Sequence, residues 1–448
     1  MTFVTLPKGD KMVSGKEASK FTDELLFPKI FQTFRMAIQP TKFIITFSAL
    51  AVISLSGWLM DFSKTVCVAH NSAGETISTE LQIYMMDPTQ VNLFIENYKG
   101  QQQGEGVFFT LWHFGSQKYH NNLKELFELN FASIVTNLAD CFTALRWALR
   151  YHLIYCLIFA GIILAVISIA GGAICRISAL QFARGEKPGL TEALRYSIKR
   201  FTSFVTAPIA PITIIAFIGI FIFLLGLLGN IPRIGELLVG IGLPLALIAG
   251  VLIAVVVIGT FAGFNLMFPA VAYDGSDCFD AISRSFSYVY ARPWRMLLYT
   301  LIAMVYGSIC YIFVRFFAFL SLLICHWFLR LGLWAKNGSL ETNKLDAIWP
   351  EPEFMKLLDP SGLAITNWTE KAAAFLVYLF LLVVIGLVVS FIINFYFSAN
   401  TIIYSLLRNK VDNTALEDIY TPSDKIETEL NMKDIEFQQN SQEPEPQE

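Results

Sequence analysis

The stretch LLVGIGLPLALIAGVLIAVVVIGTFAGFN, residues 237–265, contains no charged side chain. Wound as an α-helix rising 1.5 Å per residue, it exceeds the roughly 30 Å of hydrocarbon in a bilayer. A helix is the element that satisfies every backbone polar group internally where no water is present. Similar runs lie on either side, at 43–60, 152–175, 205–229, 296–320 and 374–398. The reading is an all-α membrane protein with about six transmembrane helices. Composition agrees. The 448 residues are 55% hydrophobic and 15% charged, against about 25% charged in a soluble domain. A net charge of −3 gives no electrostatic footprint for nucleic acid.

Basic residues in short connections set the orientation. Lys8, Lys11, Lys16, Lys20, Lys29, Arg35 and Lys42 precede the first span. Arg176, Arg184, Lys187, Arg195, Lys199 and Arg200 follow the second, and Arg284, Arg292 and Arg295 follow the fourth. The connection after the third holds only Arg233. Both termini are therefore expected in the cytoplasm, with the first span an uncleaved anchor. The predicted order begins with a cytoplasmic segment at 1–42 carrying an amphipathic helix. A first span at 43–60 and an extracytoplasmic cap at 61–151 follow. A membrane core occupies 152–325, a second outer segment 326–373, a sixth span 374–407 and an acidic, disordered cytoplasmic tail 408–448. Such a tail, rich in Gln and Pro, cannot bury enough apolar surface to fold.

The core reads as a repeat of span, amphipathic helix and span, with elbow helices at 190–204 and 278–292. Leu190, Ala193, Leu194, Ser197, Ile198, Phe201 and Phe204 share one face of the first elbow. Phe279, Ile282, Phe286 and Val289 share one face of the second, and Asp277 is placed to cap it. Glu192-Ala193-Leu194 aligns with Asp280-Ala281-Ile282, and Ser197 with Ser285. A third unit is split between the ends: Pro40 and Lys42 match Pro293 and Arg295, and an amphipathic segment begins at Leu406-Leu407-Arg408. The elbows either turn the chain between spans or present a surface. In the second case Arg195, Lys199, Arg200, Arg284, Arg292 and Arg295 meet lipid headgroups or a protein partner.

Gly259 and Gly263 form a GxxxG match, and Ala246, Gly250 and Ala254 continue the four-residue spacing, so helices approach closely there. Arg315 interrupts the fifth span. It either snorkels to the outer interface or faces the bundle interior, and a charge at that depth is a candidate site. In the cap, Thr76 to Tyr84 alternates like a strand and Asp87-Pro88 reads as a helix start. From about Ser116 to 150 one long helix is expected. Its seam Phe127, Phe131, Ile134, Leu138, Cys141, Leu145 and Ala148 must pack on the cap, on a second copy or on another protein. Cys67 and Cys141 share this outer segment and are either paired or free. Asn337-Gly-Ser and Asn367-Trp-Thr match glycosylation acceptors, which matter only in a eukaryotic secretory route. Trp327, Trp334, Trp349 and Trp368 suit an interfacial belt.

No motif for nucleotide, zinc-protease or serine-hydrolase chemistry occurs. His113 and His120 lack the i, i+4 spacing of a helical metal pair. No Asp or Glu falls inside a span, which argues against a proton-driven pump. Catalytic, metal and cofactor sites are thus expected to be none.

Ala270-Val271-Ala272-Tyr273-Asp274-Gly275, followed by Asp280-Ala281-Ile282-Ser283-Arg284-Ser285-Phe286 and Pro293-Trp294-Arg295, resembles a group of bacterial six-span inner-membrane proteins. That group includes the membrane domain attached to some glycerophosphodiester phosphodiesterases. Ala183-Arg184-Gly185-Glu186-Lys187 with Glu192-Ala193-Leu194 fits the same pattern, and the likeness covers about 150–325. It implies a bacterial inner-membrane bundle with repeated elbows and transfers no catalysis, because no phosphodiesterase domain is present. The cap is a departure from the simpler members. The function expected is that of a non-catalytic scaffold or partner subunit that contacts membrane lipids. A protein partner or second copy would sit on helix 116–150. The alternative is a transporter or lipid-handling protein with a cavity between the repeats.

Overall fold

The computed structural model describes residues 26–70, 76–98, 104–128, 130–333, 336–337, 340–355, 357 and 367–421. After a 3-10 turn at Phe27–Gln32 come α1 (Thr33–Ala37) and α2 (Pro40–Met60). Strands β1 (Val68–His70) and β2 (Thr76–Thr79) pair antiparallel. Helices α3 (Glu80–Met86), α4 (Val91–Tyr98), α5 (Val107–Phe127) and α6 (Phe131–Tyr151) follow, then the long α7 (Leu153–Arg184). The short α8 (Leu190–Lys199) leads to α9 (Phe201–Leu228) and α10 (Gly235–Asp274), and α11 (Cys278–Ala291) leads to α12 (Pro293–Gly332). Strands β3 (Lys336–Asn337) and β4 (Leu340–Asn343), α13 (Lys344–Ile348) and α14 (Trp368–Asp412) complete the order. Among the described residues six helices are long and apolar enough to cross a membrane: α2, α7, α9, α10, α12 and α14. The chain is an all-α, multi-pass membrane protein. The third-unit segment expected to start at Leu406 is instead the unbroken end of α14, where Leu406 and Leu407 are fully buried.

The chain forms two compact units. One, here the elbow unit, comprises Met1–Lys42, Ser168–Ser308 and Ile393–Glu448. In it α9 and α10 pack as a hairpin and α11 lies against both. Two glycines end long helices by entering the left-handed region: Gly185 (φ +72°) after α7 and Gly275 (φ +60°) after α10. Each donates its N–H to a carbonyl four residues back, Gln181 and Val271, both at 3.1 Å. This left-handed cap satisfies carbonyls that a helix end would otherwise orphan, and only Gly adopts it without a Cβ penalty. Asp277 then caps α11 through the Asp280 N–H at 2.9 Å, as its position predicts.

The GxxxG pair packs within the chain. Cβ atoms built at Gly259 would lie 3.0 Å from Phe286, and at Gly263 3.5 Å from Phe286 and Ser285, so both glycines admit α11. The predicted continuation fails: Gly250 faces open space and Ala254 is exposed, while Ala246 is half-buried. The elbow stripes also need correction. Ala193, Ser197, Ile282 and Val289 are buried, but Ile198 and Phe279 point outward. Tyr196 and Tyr288 face inward in their place, because each hydroxyl reaches a polar partner in the unit.

The second, or cap, unit comprises Phe43–Ile167 and Ile309–Ile392. Its core gathers Val66, Leu81, Tyr84, Val91, Val107, Ala144, Trp147 and Ala148. The expected strand 76–84 stops at Thr79, where a capping box with Gln82 starts α3. Asp87-Pro88 does not open a helix. Asp87 ends α3 and its carboxylate accepts the Thr89 N–H at 2.9 Å, making an Asx turn. The single helix 116–150 is two helices, α5 and α6, broken at 128–130, with Asn130 capping α6. Lys118 holds the hairpin through Asp140 at 2.6 Å and Asn137 at 3.2 Å. The seam therefore divides. Ala148 packs inward, whereas Leu138 and Leu145 are exposed together with Val135, Phe142 and Leu149. Cys67 and Cys141, both half-buried, are not joined by a disulfide. Of the tryptophans, Trp327 and Trp368 are exposed, Trp349 is buried in a core cluster and Trp334 lies outside the described residues. The acidic tail beyond Thr421 also lies outside them.

Candidate functional site at the elbow helices

The α10 C-terminus delivers Asp274 to a site almost closed to solvent, its side chain 6% exposed. Three elements converge on this carboxylate. From α14, Arg408 places Nε 3.1 Å from Oδ1, and the Tyr404 hydroxyl donates to Oδ2. From α11, the Arg284 guanidinium donates to Oδ2 at 3.2 Å and to both Asp280 oxygens at 3.0 Å. Tyr288 donates to Asp412 at 2.5 Å. Burial works against the Arg284 charge, but Asp280 and Asp274 more than offset it and raise its pKa. Burial together with Asp412 raises the Tyr288 pKa. In a medium of low dielectric such charges are tolerable because each has a partner.

Arg408, together with Arg184 and Arg176, also fastens residues 414–421, which run as a strap over the helix ends. Arg408 donates to the Asp418 carbonyl at 2.7 Å and lies 3.2 Å from its carboxylate. Arg184 donates to the Ile419 carbonyl at 3.3 Å, and Tyr273 donates to the Leu416 carbonyl. Tyr420 gives its N–H to Tyr273 at 3.1 Å, and its carbonyl accepts from Arg176 at 2.9 Å. Ile419 is buried beneath. Arg200 sits 5.7 Å over the Tyr420 ring.

Beside the strap, between the end of α7 and α8, is a cavity of roughly 270 Å³. Arg176, Arg195, Lys199 and Glu192 supply its charged lining. Arg176 also donates to the Ala272 carbonyl at 3.0 Å, and its guanidinium lies 4.5 Å over the Tyr196 ring. Tyr196 donates to the Val271 carbonyl at 2.8 Å, and burial pushes its pKa up to about 12.

The six predicted surface cations thus have different fates. Arg195 and Lys199 line one cavity, and Arg200 covers Tyr420. Arg284 is committed to two carboxylates, while Arg292 is exposed and Arg295 half-buried. Charge counting found those residues and named Arg176 as a loop cation, but assigned none of Asp274, Tyr404, Arg408 and Arg176 to a site. The Asp280–Arg284 spacing of four carried a local signal. The Arg408 partnership, spanning more than a hundred residues of chain, carried none.

In the cap unit Arg315 faces inward, 5% exposed. Its guanidinium donates to the Phe354 carbonyl at 3.1 Å, the Met355 carbonyl at 2.7 Å and the Tyr311 hydroxyl at 3.0 Å. It fastens the segment around Phe354 and Met355 and does not snorkel. Asp61 accepts the Phe108 and Phe109 N–H groups at 2.9 and 2.8 Å and so caps α5. Buried Glu80 accepts from Trp147 Nε1 at 3.1 Å and lies 3.5 Å from His152. His120 contacts the Ser116 carbonyl and His113 stacks on Phe109. No group of three His, Cys, Asp or Glu among the described residues could hold a metal ion. No family model, curated protein or solved structure matches the chain.

Proposed function

We propose that this protein is a non-catalytic membrane scaffold or partner subunit, with its elbow unit at the cytoplasmic face of a bacterial inner membrane. The two elbows belong to repeated span–amphipathic helix–span units. Matched left-handed glycine caps at Gly185 and Gly275 support the repeat. The likeness to the membrane domains of glycerophosphodiester phosphodiesterases belongs to this reading and brings no chemistry with it.

The observation that carries the proposal is how the deeply placed charges are used. The side chains of Asp274, Arg408, Arg315 and Lys42 are each buried and bond to protein carboxylates, hydroxyls, carbonyls or guanidinium groups. Catalysis or ion-coupled transport needs such groups poised toward substrate. Here they brace a platform. A docking surface is available on α6, where Val135, Leu138, Phe142, Leu145 and Leu149 recur at alternating three- and four-residue steps and all are exposed, Phe142 by 69%. That is the spacing of a helix–helix seam.

Crosslinking in intact cells, then purification of wild type and Phe142→Glu, tests the reading. A defined stoichiometric partner lost in the variant, with melting temperature unchanged, supports it. A chain recovered alone, together with solute flux in reconstituted vesicles, overturns it in favour of transport.

A further inference from the structure

Arg176 differs from Arg408 and Arg284, the arginines of the Asp274 site. Arg408 and Arg284 each lie within ion-pair distance of a carboxylate, whereas Arg176, only 4% exposed, has none within that distance among the described residues. Its bonds go to two backbone carbonyls and a ring face, which orient the guanidinium without neutralising it. A guanidinium carries five N–H donors, so donors remain after those two bonds. The cavity it lines holds two more cations, Arg195 and Lys199, against one carboxylate, Glu192. A buried cation, an excess of positive charge and an adjacent void call for an anion.

We propose that this cavity binds the phosphate group of a phosphate ester. Arg176 is the buried anchor, and Arg195 and Lys199 close over the anion from α8. Arg suits this task because its planar fork matches phosphate oxygens in pairs. Leu180 and Pro188 give the cavity an apolar side. A phospholipid whose acyl chains run along α7 therefore fits better than a soluble phosphate ester, although both offer the same recognised group. The inference goes beyond the scaffold reading and does not rest on it.

The test uses the full chain in phosphate-free maltoside micelles, titrated with short-chain phosphatidylglycerol or with inorganic phosphate. The readouts are melting temperature and lipid retained in native mass spectrometry. Arg195→Gln/Lys199→Gln is the main variant, since both side chains are exposed and the strap does not depend on them. Arg292→Gln is an exposed cation outside the cavity. Phosphatidylglycerol is expected to bind wild type and Arg292→Gln alike. Each cavity cation removed costs about fivefold, so the double variant binds about 25-fold more weakly. Saturation by inorganic phosphate with the same loss in the variant assigns the site to a soluble ester and also supports the proposal. Equal affinity in wild type and the double variant, or no binding of either probe, overturns it.

Discussion

At the scale of the residue, the central object is Asp274. It is nearly buried and is met by Arg408 at 3.1 Å and Arg284 at 3.2 Å. Removing one partner of a buried ion pair strands the other, at a cost of about 3–5 kcal/mol. Asp274→Ala should therefore lower stability by about that much, read as denaturant-induced unfolding in micelles. Arg408→Leu in the same background should add far less than it does alone, which a double-mutant cycle measures. Tyr196 gives a pH signature. Its pKa is raised to about 12 from the ordinary 10, so the folded state holds the proton more tightly than the unfolded state. Its contribution is complete below pH 10 and is lost as pH rises through about 12. A melting-temperature profile should fall over that window, and Tyr196→Phe should flatten the fall. Neither residue was legible beforehand as part of a site. Asp274 stands out in a sequence only as an acid at the end of an apolar run, and Tyr196 only as an aromatic in an elbow. What makes them matter is the arrival of Arg408 and Val271 from distant chain.

At the scale of the element, local patterning succeeded where one physical signal acted alone. Asp277 caps α11 because a cap is decided within four residues. The apolar runs became helices because lipid leaves no other choice. Patterning failed where two signals competed. The seam from Phe127 to Ala148 continues in register along the sequence, but α5 ends at Phe127, α6 begins at Phe131, and the two close on each other through Lys118 and Asp140. The stripe Thr76 to Tyr84 alternates, yet the Thr79–Gln82 capping box starts a helix halfway along it. The two left-handed glycines offer a clean comparison. Gly185→Ala and Gly275→Ala both incur about 1–2 kcal/mol of backbone cost. Only at Gly275 does the added methyl also strike the Tyr420 ring, whereas Gly185 faces open space. Gly275→Ala should therefore destabilise more and expose the strap, and the measurement is the protease sensitivity of the 414–421 segment in each variant.

At the scale of the whole molecule, six apolar helices define a multi-pass membrane protein. The positive-inside reading proposed above puts the termini and elbows on one side of it. That arrangement underlies the scaffold reading, because the strap and the basic cavity act on cytoplasmic partners and lipids only if the elbow unit faces inward. The span count and class were readable directly from hydropathy. The two-unit organisation was not, because its boundaries at Lys42/Phe43, Ile167/Ser168, Ser308/Ile309 and Ile392/Ile393 all fall inside unbroken helices. The most direct measurement places single cysteines at Lys187 and Asn97 in a cysteine-free chain and adds a membrane-impermeant maleimide to intact cells. Asn97→Cys should be labelled at once and Lys187→Cys only after permeabilisation. Equal labelling of both positions in intact cells, or release of the protein from membranes by a salt wash, would contradict it.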